Sequence, residues 1–150
     1  MFNKIMVATD LSDKSLEALR YAVDIAKKYD AEITLLHVVE EFLNKEEMRM
    51  LRVSVNNVKD VQKQRAVAAK EILEDELERI GAKGIKHKSV LREGKPYKEI
   101  TDTAEELEMD LLVITTAGRT NIEELLLGST AEQIVHYSNV PVLTIRVDKN

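Results

Sequence analysis

Leu111-Leu112-Val113-Ile114, then Thr115-Thr116-Ala117-Gly118, then nine residues to Gly128-Ser129-Thr130-Ala131-Glu132: the fold turns on this stretch. A short apolar run of strand type enters a glycine-bearing loop, and Ser129-x-x-Glu132 reads as a capping box that starts a helix. Strand, loop and helix N-terminus in that order make one turn of a parallel α/β sheet. They also make an anion cradle, because glycine admits close backbone approach and first-turn N–H groups have no intrahelical acceptor. A glycine that only turns the chain, beside a serine that only caps a helix, would leave the same letters. Position in the fold has to decide.

Working outward, apolar runs alternate with helical periodicities. Ile5 to Ala8 reads as a strand ending at Thr9-Asp10. Ser12 or Asp13 caps the helix that follows, with Leu16, Leu19, Val23 and Ala26 on one face. Ile33 to Val39 is a β-branched, apolar second strand. A long helix is expected from Asn44 to Ile80, with Met48, Leu51, Val55 and Val58, then Ala69, Leu73, Leu77 and Ile80, along its stripe. Lys59 to Arg65 is polar except for Val61, so the early part of this helix reads as loose or bent, and Gly81 and Gly84 end it. Ile85 to Arg92 has no cleanly apolar face, which marks an edge strand guarded by charge. Pro96 opens a third helix with Ile100, Ala104 and Leu107 inward. Asp110 to Thr115 is the fourth strand, Ser129 to Tyr137 the fourth helix, and Val142 to Val147 the fifth strand. The pattern is α/β: a doubly wound, open, five-stranded parallel sheet with helices on both faces, Rossmann-like, in the order 3-2-1-4-5. Residues 1–150 read as a single domain. Such sheets bind ligands at the carboxyl edge where the winding reverses, between strands 1 and 4. Thr9-Asp10 and the Gly118 loop both fall there, which favours a binding cradle over a plain turn.

Bulk properties set the boundaries. The formal net charge of −5 removes the electrostatic drive for general nucleic-acid binding. With no cysteine there are no disulfides and no thiolate metal sites. No apolar stretch reaches spanning length, and Met1-Phe2-Asn3-Lys4 leads into a strand rather than a signal peptide, so the chain is expected to be cytoplasmic and away from membranes.

Asp10 follows strand 1 directly. It is suited to bonding a sugar or base, or to holding Mg2+ with phosphates, and equally to an Asx cap; the two roles are compatible. Val38 and Val39 end strand 2 as base-pocket lining or as core. His37 reads as a satisfied core residue, His87 and His136 as surface positions, and no spacing of His, Asp and Glu marks a metal site. No nucleophile elbow accompanies any serine, and no catalytic residue is assigned. The first turn, Ala8-Thr9-Asp10-Leu11-Ser12-Asp13, lacks the dinucleotide fingerprint, and Gly94-Lys95-Pro96 is not a P-loop. The end of strand 3, Leu91-Arg92-Glu93-Gly94, lacks the acidic cluster of a receiver domain.

Taken together, Lys4 to Asp10, Leu35 to Val39, Gly94-Lys95-Pro96, Asp110 to Ile114, Gly118 to Ile122, Leu126 to Ser129 and Val140 to Arg146 carry a specific resemblance to the universal stress protein family over nearly the whole chain. ATP-binding members of that family carry G-x2-G-x9-G-[ST]. By position the resemblance implies Gly118, Gly128 and Ser129, followed by Thr130, with Thr115 standing where the first glycine would be. Members with a degraded glycine motif do not bind ATP, so Thr115 bears on function. The resemblance also assigns Asp10 and the Val38 backbone to the nucleoside end, and implies homodimers paired through the last strand, here Val142 to Val147.

The expected site therefore comprises Thr9, Asp10, Val38, Thr115, Gly118, Arg119, Gly128, Ser129 and Thr130, with Arg119 either a clamp near the phosphates or a plain surface residue. Its ligand is an adenine nucleotide, ATP with Mg2+, bound for sensing or regulation. Efficient turnover is not expected, because no general base or arginine finger positions water. The alternative is a dimeric stress protein without nucleotide, working through protein contacts.

Overall fold

A computed structural model describes residues 1–40, 49–50, 55–82, 84–116 and 128–147. Five strands, β1 (Lys4–Thr9), β2 (Glu32–Val39), β3 (His87–Glu93), β4 (Leu111–Thr115) and β5 (Val142–Ile145), form one sheet. Its order is β3-β2-β1-β4-β5, and every neighbouring pair is parallel. Four helices cover it: α1 (Asp13–Tyr29), α2 (Val55–Arg79), α3 (Pro96–Glu106) and α4 (Ser129–Tyr137). This is the arrangement expected from the alternation of apolar runs.

The apolar runs are continuous because the strands are covered on both faces. Ile5 and Val7 of β1, Ile33 and Leu35 of β2, and Leu111 and Val113 of β4 point one way. There they pack with Leu16, Leu19 and Val23 of α1 and Leu73 and Leu77 of α2. Their neighbours Met6, Ala8, Leu36, Leu112 and Ile114 point the other way, onto Ile100 and Ala104 of α3 and Ala131 and Ile134 of α4. A one-residue register slip would exchange the two sets, so the pairing of Val7 with both Leu35 and Val113 is strongly specified.

Local chemistry places the ends of the elements. Ser12 is the N-cap of α1, its hydroxyl accepting from the Ser15 N–H at 3.2 Å. Asp13 stands in the first turn instead, where a carboxylate complements the helix dipole. At the end of α2, Gly81 takes φ +74, the Gly81 N–H reaches the Glu78 carbonyl and the Ala82 N–H reaches that of Leu77. That is a Schellman termination, and glycine supplies its left-handed residue without strain.

Two strand boundaries differ from those read off the sequence, and one helix is described only in part. Helix α2 is described from Val55, with Arg49 and Met50 also helical; the rest of the stretch from Asn44 lies outside the described residues. Of the early part read as loose or bent, the described piece from Val55 to Arg65 is continuous helix. Strand β3 begins at His87, because Ile85 still belongs to the turn, its N–H bonded to the Ala82 carbonyl. Strand β5 stops at Ile145, since β4 ends at Thr115 opposite it and leaves Arg146 and Val147 no ladder to join. Strand β3 does lie at the edge, with Lys86 and Lys88 at 3.3 and 3.9 Å from Glu32. Among the described residues no helix is long and apolar enough to cross a membrane.

Helix α2 packs by one stripe: Ala69, Leu73 and Leu77 are buried, while Val67 is 52% exposed. Leu73→Ala is therefore expected to cost about 2–5 kcal/mol. Val67→Ala should stay within about 0.5 kcal/mol. Urea unfolding of both variants checks this, and equal midpoints would contradict the packing described.

Candidate functional site

The carboxyl end of β1 is where the winding reverses, β2 lying on one side and β4 on the other. Helix α1 leaves toward one face and α4 toward the opposite face, so the strand ends between them stay uncovered. A crevice of about 850 Å³ opens there. Its size lies within the range of small-molecule sites.

The β1 wall is rigid and already hydrogen-bonded. Thr9 is buried, and its Oγ accepts from the Leu11 N–H at 2.9 Å. The Ser15 hydroxyl donates to the Ser12 carbonyl at 3.0 Å, so its 2.6 Å contact with Thr9 is a bond that Thr9 donates. Asp10 Oδ1 accepts from the Ser12 N–H at 2.9 Å, an Asx turn that fixes the carboxylate at the rim. Leu11 completes the turn at φ +68, a left-handed conformation that costs a non-glycine residue about 1–2 kcal/mol. Asp10 thus makes an Asx turn just ahead of α1 rather than the helix cap weighed for it, which is Ser12, and it also lines the crevice.

The β2 wall consists of Leu36, His37, Val38 and Val39. His37 is half-buried at the crevice rather than enclosed in core, its Nδ1 held 3.0 Å from the Thr9 carbonyl. Gly94, at φ +146, folds the end of β3 over β2 and donates its N–H to the Val39 carbonyl at 2.9 Å. Pro96 then opens α3, and Pro96 and Ile100 add apolar surface.

At the β4 wall, Thr115 and Thr116 both line the crevice, which keeps its volume with Thr115 in place. Here the capping box is corrected: Gly128, not Ser129, is the N-cap of α4, and Ser129 is the first helical residue. The cause is a close backbone approach. The Gly128 N–H donates to the Thr116 carbonyl at 2.8 Å, and a Cβ on Gly128 would stand 3.0 Å from that same oxygen. The Ser129 and Thr130 hydroxyls are therefore not spent on capping. Both residues are exposed on the crevice at the first turn of α4. Thr9, Asp10, Val38, Thr115, Gly128, Ser129 and Thr130 thus meet in one cavity; Gly118 and Arg119 lie outside the described residues.

Sequence reasoning missed the wall supplied by α2, made of Arg65, Ala68, Ala69 and Ile72. Their spacing of three, four and seven residues puts them on one helical face. Continuing the buried Ala69–Leu73–Leu77 stripe backward would have pointed to it. Among the described residues, Arg65 is the lysine- or arginine-type cation lining the crevice, and Asp10 and Glu40 are its carboxylates. Lys28, raised by its hydrogen bond to Asp24, and Arg79, raised by Glu76, lie elsewhere on the surface. No group of three or more candidate metal ligands occurs among the described residues.

The family model described as the universal stress protein family matches residues 1–146. A universal stress protein of Methanocaldococcus jannaschii is 32% identical over 151 residues, covering 99% of this chain and 85% of the relative. The solved structure of a second universal stress protein from that organism is 30% identical, with a TM-score of 0.78 and coverage of 100% of this chain and 99% of that one. Two more distant structures share the fold. One is a universal stress protein in complex with cAMP, 23% identical with a TM-score of 0.68, covering 97% of each chain. The other, from Archaeoglobus fulgidus, is in complex with dAMP, 20% identical with a TM-score of 0.63, covering 97% of this chain and 98% of that one.

The contact at Gly128 yields a stability test. Gly128→Val places branched carbon against the Thr116 carbonyl and is expected to cost about 1–3 kcal/mol by overpacking. Denaturant unfolding measures it, and a wild-type midpoint would show that Thr116 yields freely.

Proposed function

Because this chain belongs to the universal stress protein family, we propose that it binds an adenine nucleotide, ATP, in the crevice and acts as a sensing or regulatory module in stress response. One observation carries the reading: the amino end of α4, with two exposed hydroxyls, opens into a cavity of about 850 Å³ whose far wall is apolar. Phosphates suit the first end, where free N–H groups and the helix dipole favour anions. A base and ribose suit the other, between Val38, Val39 and Ile72 with Asp10 at the rim. The cAMP and dAMP complexes of two proteins with this fold support an adenine nucleotide as the ligand.

Gly128 lets the start of α4 lie close to the Thr116 carbonyl beside the crevice, where a Cβ would stand 3.0 Å from that oxygen. Ser129 and Thr130 would bond phosphate oxygens. Asp10 is the carboxylate suited to a Mg2+ ion whose remaining ligands come from phosphate and water. Mg2+ supplies charge neutralisation there. We assign ATP the role of a regulatory ligand rather than a substrate. We also place a second copy of the chain on the open edge of β5, where an unpaired strand offers its backbone groups. Light scattering should then give twice the chain mass; a monomer at micromolar concentration would refute that placement.

The nucleotide reading has a direct test. Freshly purified protein should release adenine nucleotide on denaturation. ATP with Mg2+ at a hundredfold excess over its Kd should stabilise the fold by about 2.7 kcal/mol. For a chain of this size that raises Tm by roughly 5–10 °C. If the wild type shows neither signal and Thr115→Gly restores both, the chain works without nucleotide, through protein contacts.

A further inference from the structure

His37 lines the crevice, yet neither the phosphate cradle nor the Mg2+ position uses it. It stands opposite Thr9 in the parallel ladder and two residues beyond Leu35. Its ring therefore leaves the same face of the sheet as Leu35, the face that α1 and α2 cover. From that side Ala68, Ala69 and Ile72 of α2 bring apolar surface to the crevice.

The ring is held in one protonation pattern. Its Nδ1 lies 3.0 Å from the Thr9 carbonyl oxygen. A carbonyl only accepts, so Nδ1 carries the proton and Nε2 of the neutral ring is left as a lone-pair acceptor. Nε2 has no partner among the described residues. It is not enclosed either, since their buried unpaired polar atoms are Ser89 Oγ and Arg92 Nε. Nε2 thus opens toward the crevice that His37 lines. Moving the proton to Nε2 would break the Nδ1 bond and set a lone pair against the Thr9 carbonyl. Thr9 is buried and its backbone is fixed in the ladder, so that carbonyl does not turn away.

An acceptor locked in this way selects a donor. We propose, on the basis of the nucleotide reading of the crevice, that His37 Nε2 accepts a hydrogen bond from the 6-amino group of adenine and so determines which base the chain takes. A flat base suits the apolar surface of α2 beside Val38 and Val39, while the ribose keeps to the polar rim at Asp10. A 6-oxopurine brings an acceptor to the same place and meets Nε2 lone pair to lone pair. The Thr9 carbonyl sharpens the choice from a distance, because it denies the ring the tautomer that would donate to an oxo group.

Calorimetric titration of the full chain with ATP and with inosine triphosphate, each with Mg2+, tests this at about pH 8, where imidazole is ordinarily neutral. The two ligands differ only at the 6-position of the base and the proton on N1. ATP should bind at least about tenfold more tightly, the worth of one hydrogen bond against an unpaired acceptor. His37→Asn keeps a side-chain N–H for the Thr9 carbonyl and has no atom at the Nε2 position. It should fold as the wild type does and erase the margin by weakening ATP alone; a histidine that merely ties β2 to β1 would leave the margin intact. His37→Gln, whose amide turns either its oxygen or its nitrogen toward the base, should bind the two nucleotides equally. Equal wild-type affinities, or a margin that persists in both variants, would overturn the role of His37 and leave the crevice reading standing. Equal losses for the two nucleotides in His37→Asn would put the ring against the ribose and overturn it as well. If the wild type binds neither nucleotide, both readings fall together.

Discussion

Every wall of the crevice traces back to β1, whose backbone is hydrogen-bonded to β2 along one side and to β4 along the other. The chain builds outward from β1 through β2 to β3 on one side, then crosses to β4 and β5 on the other, so right-handed crossovers put the flanking helices on opposite faces. The gap at its carboxyl end is a consequence of topology before any side chain is considered. What the sequence adds is the lining: small and hydroxylated residues at the ends of β1 and β4, apolar ones at the end of β2. The bonds among Thr9, Ser12 and Ser15 then hold the first turn in one shape, so Asp10 is presented at the rim without a ligand to order it.

Helix α2 serves two purposes with one stripe. Its second half buries Leu73 and Leu77 against the sheet. Its preceding turns pass beyond the covered strands, and the same face becomes the wall formed by Arg65, Ala68 and Ile72. Ile72 remains 42% exposed although it lines a cavity, which is the condition of an apolar side chain at an open binding surface. Small residues at Ala68 and Ala69 keep that wall shallow, so the cavity stays wide between helix and strand ends. Packing and recognition are thus continuous along this helix.

The fold was legible because strands buried on both faces must read as apolar runs, and these runs are separated by unambiguous helical stripes. Strand order and the place of the crevice followed from winding rules alone. The lining was legible where a residue is adjacent in sequence to a strand end, as Thr9, Asp10, Val38 and Thr115 are, or opens a helix after a glycine, as Ser129 and Thr130 do. Arg65 and Ile72 are brought in by the path of a helix whose polar stretch resembles any solvated surface, so no local signal separates them from their neighbours. The cap of α4 was misplaced by one residue for a related reason: the approach of Gly128 to the Thr116 carbonyl is a tertiary contact, and the letters Ser-x-x-Glu fit a local motif equally well. His37 showed the same limit, since an apolar strand does not reveal which residue lies at its open end.

An α-helix is stiff along its axis, and the 25 residues of α2 span about 37 Å. Clamped by leucines in its second half and resting on a hollow farther up, it has the geometry of a lever with its fulcrum near Ala69. Whatever fills or empties the hollow would tilt the whole rod rather than bend it.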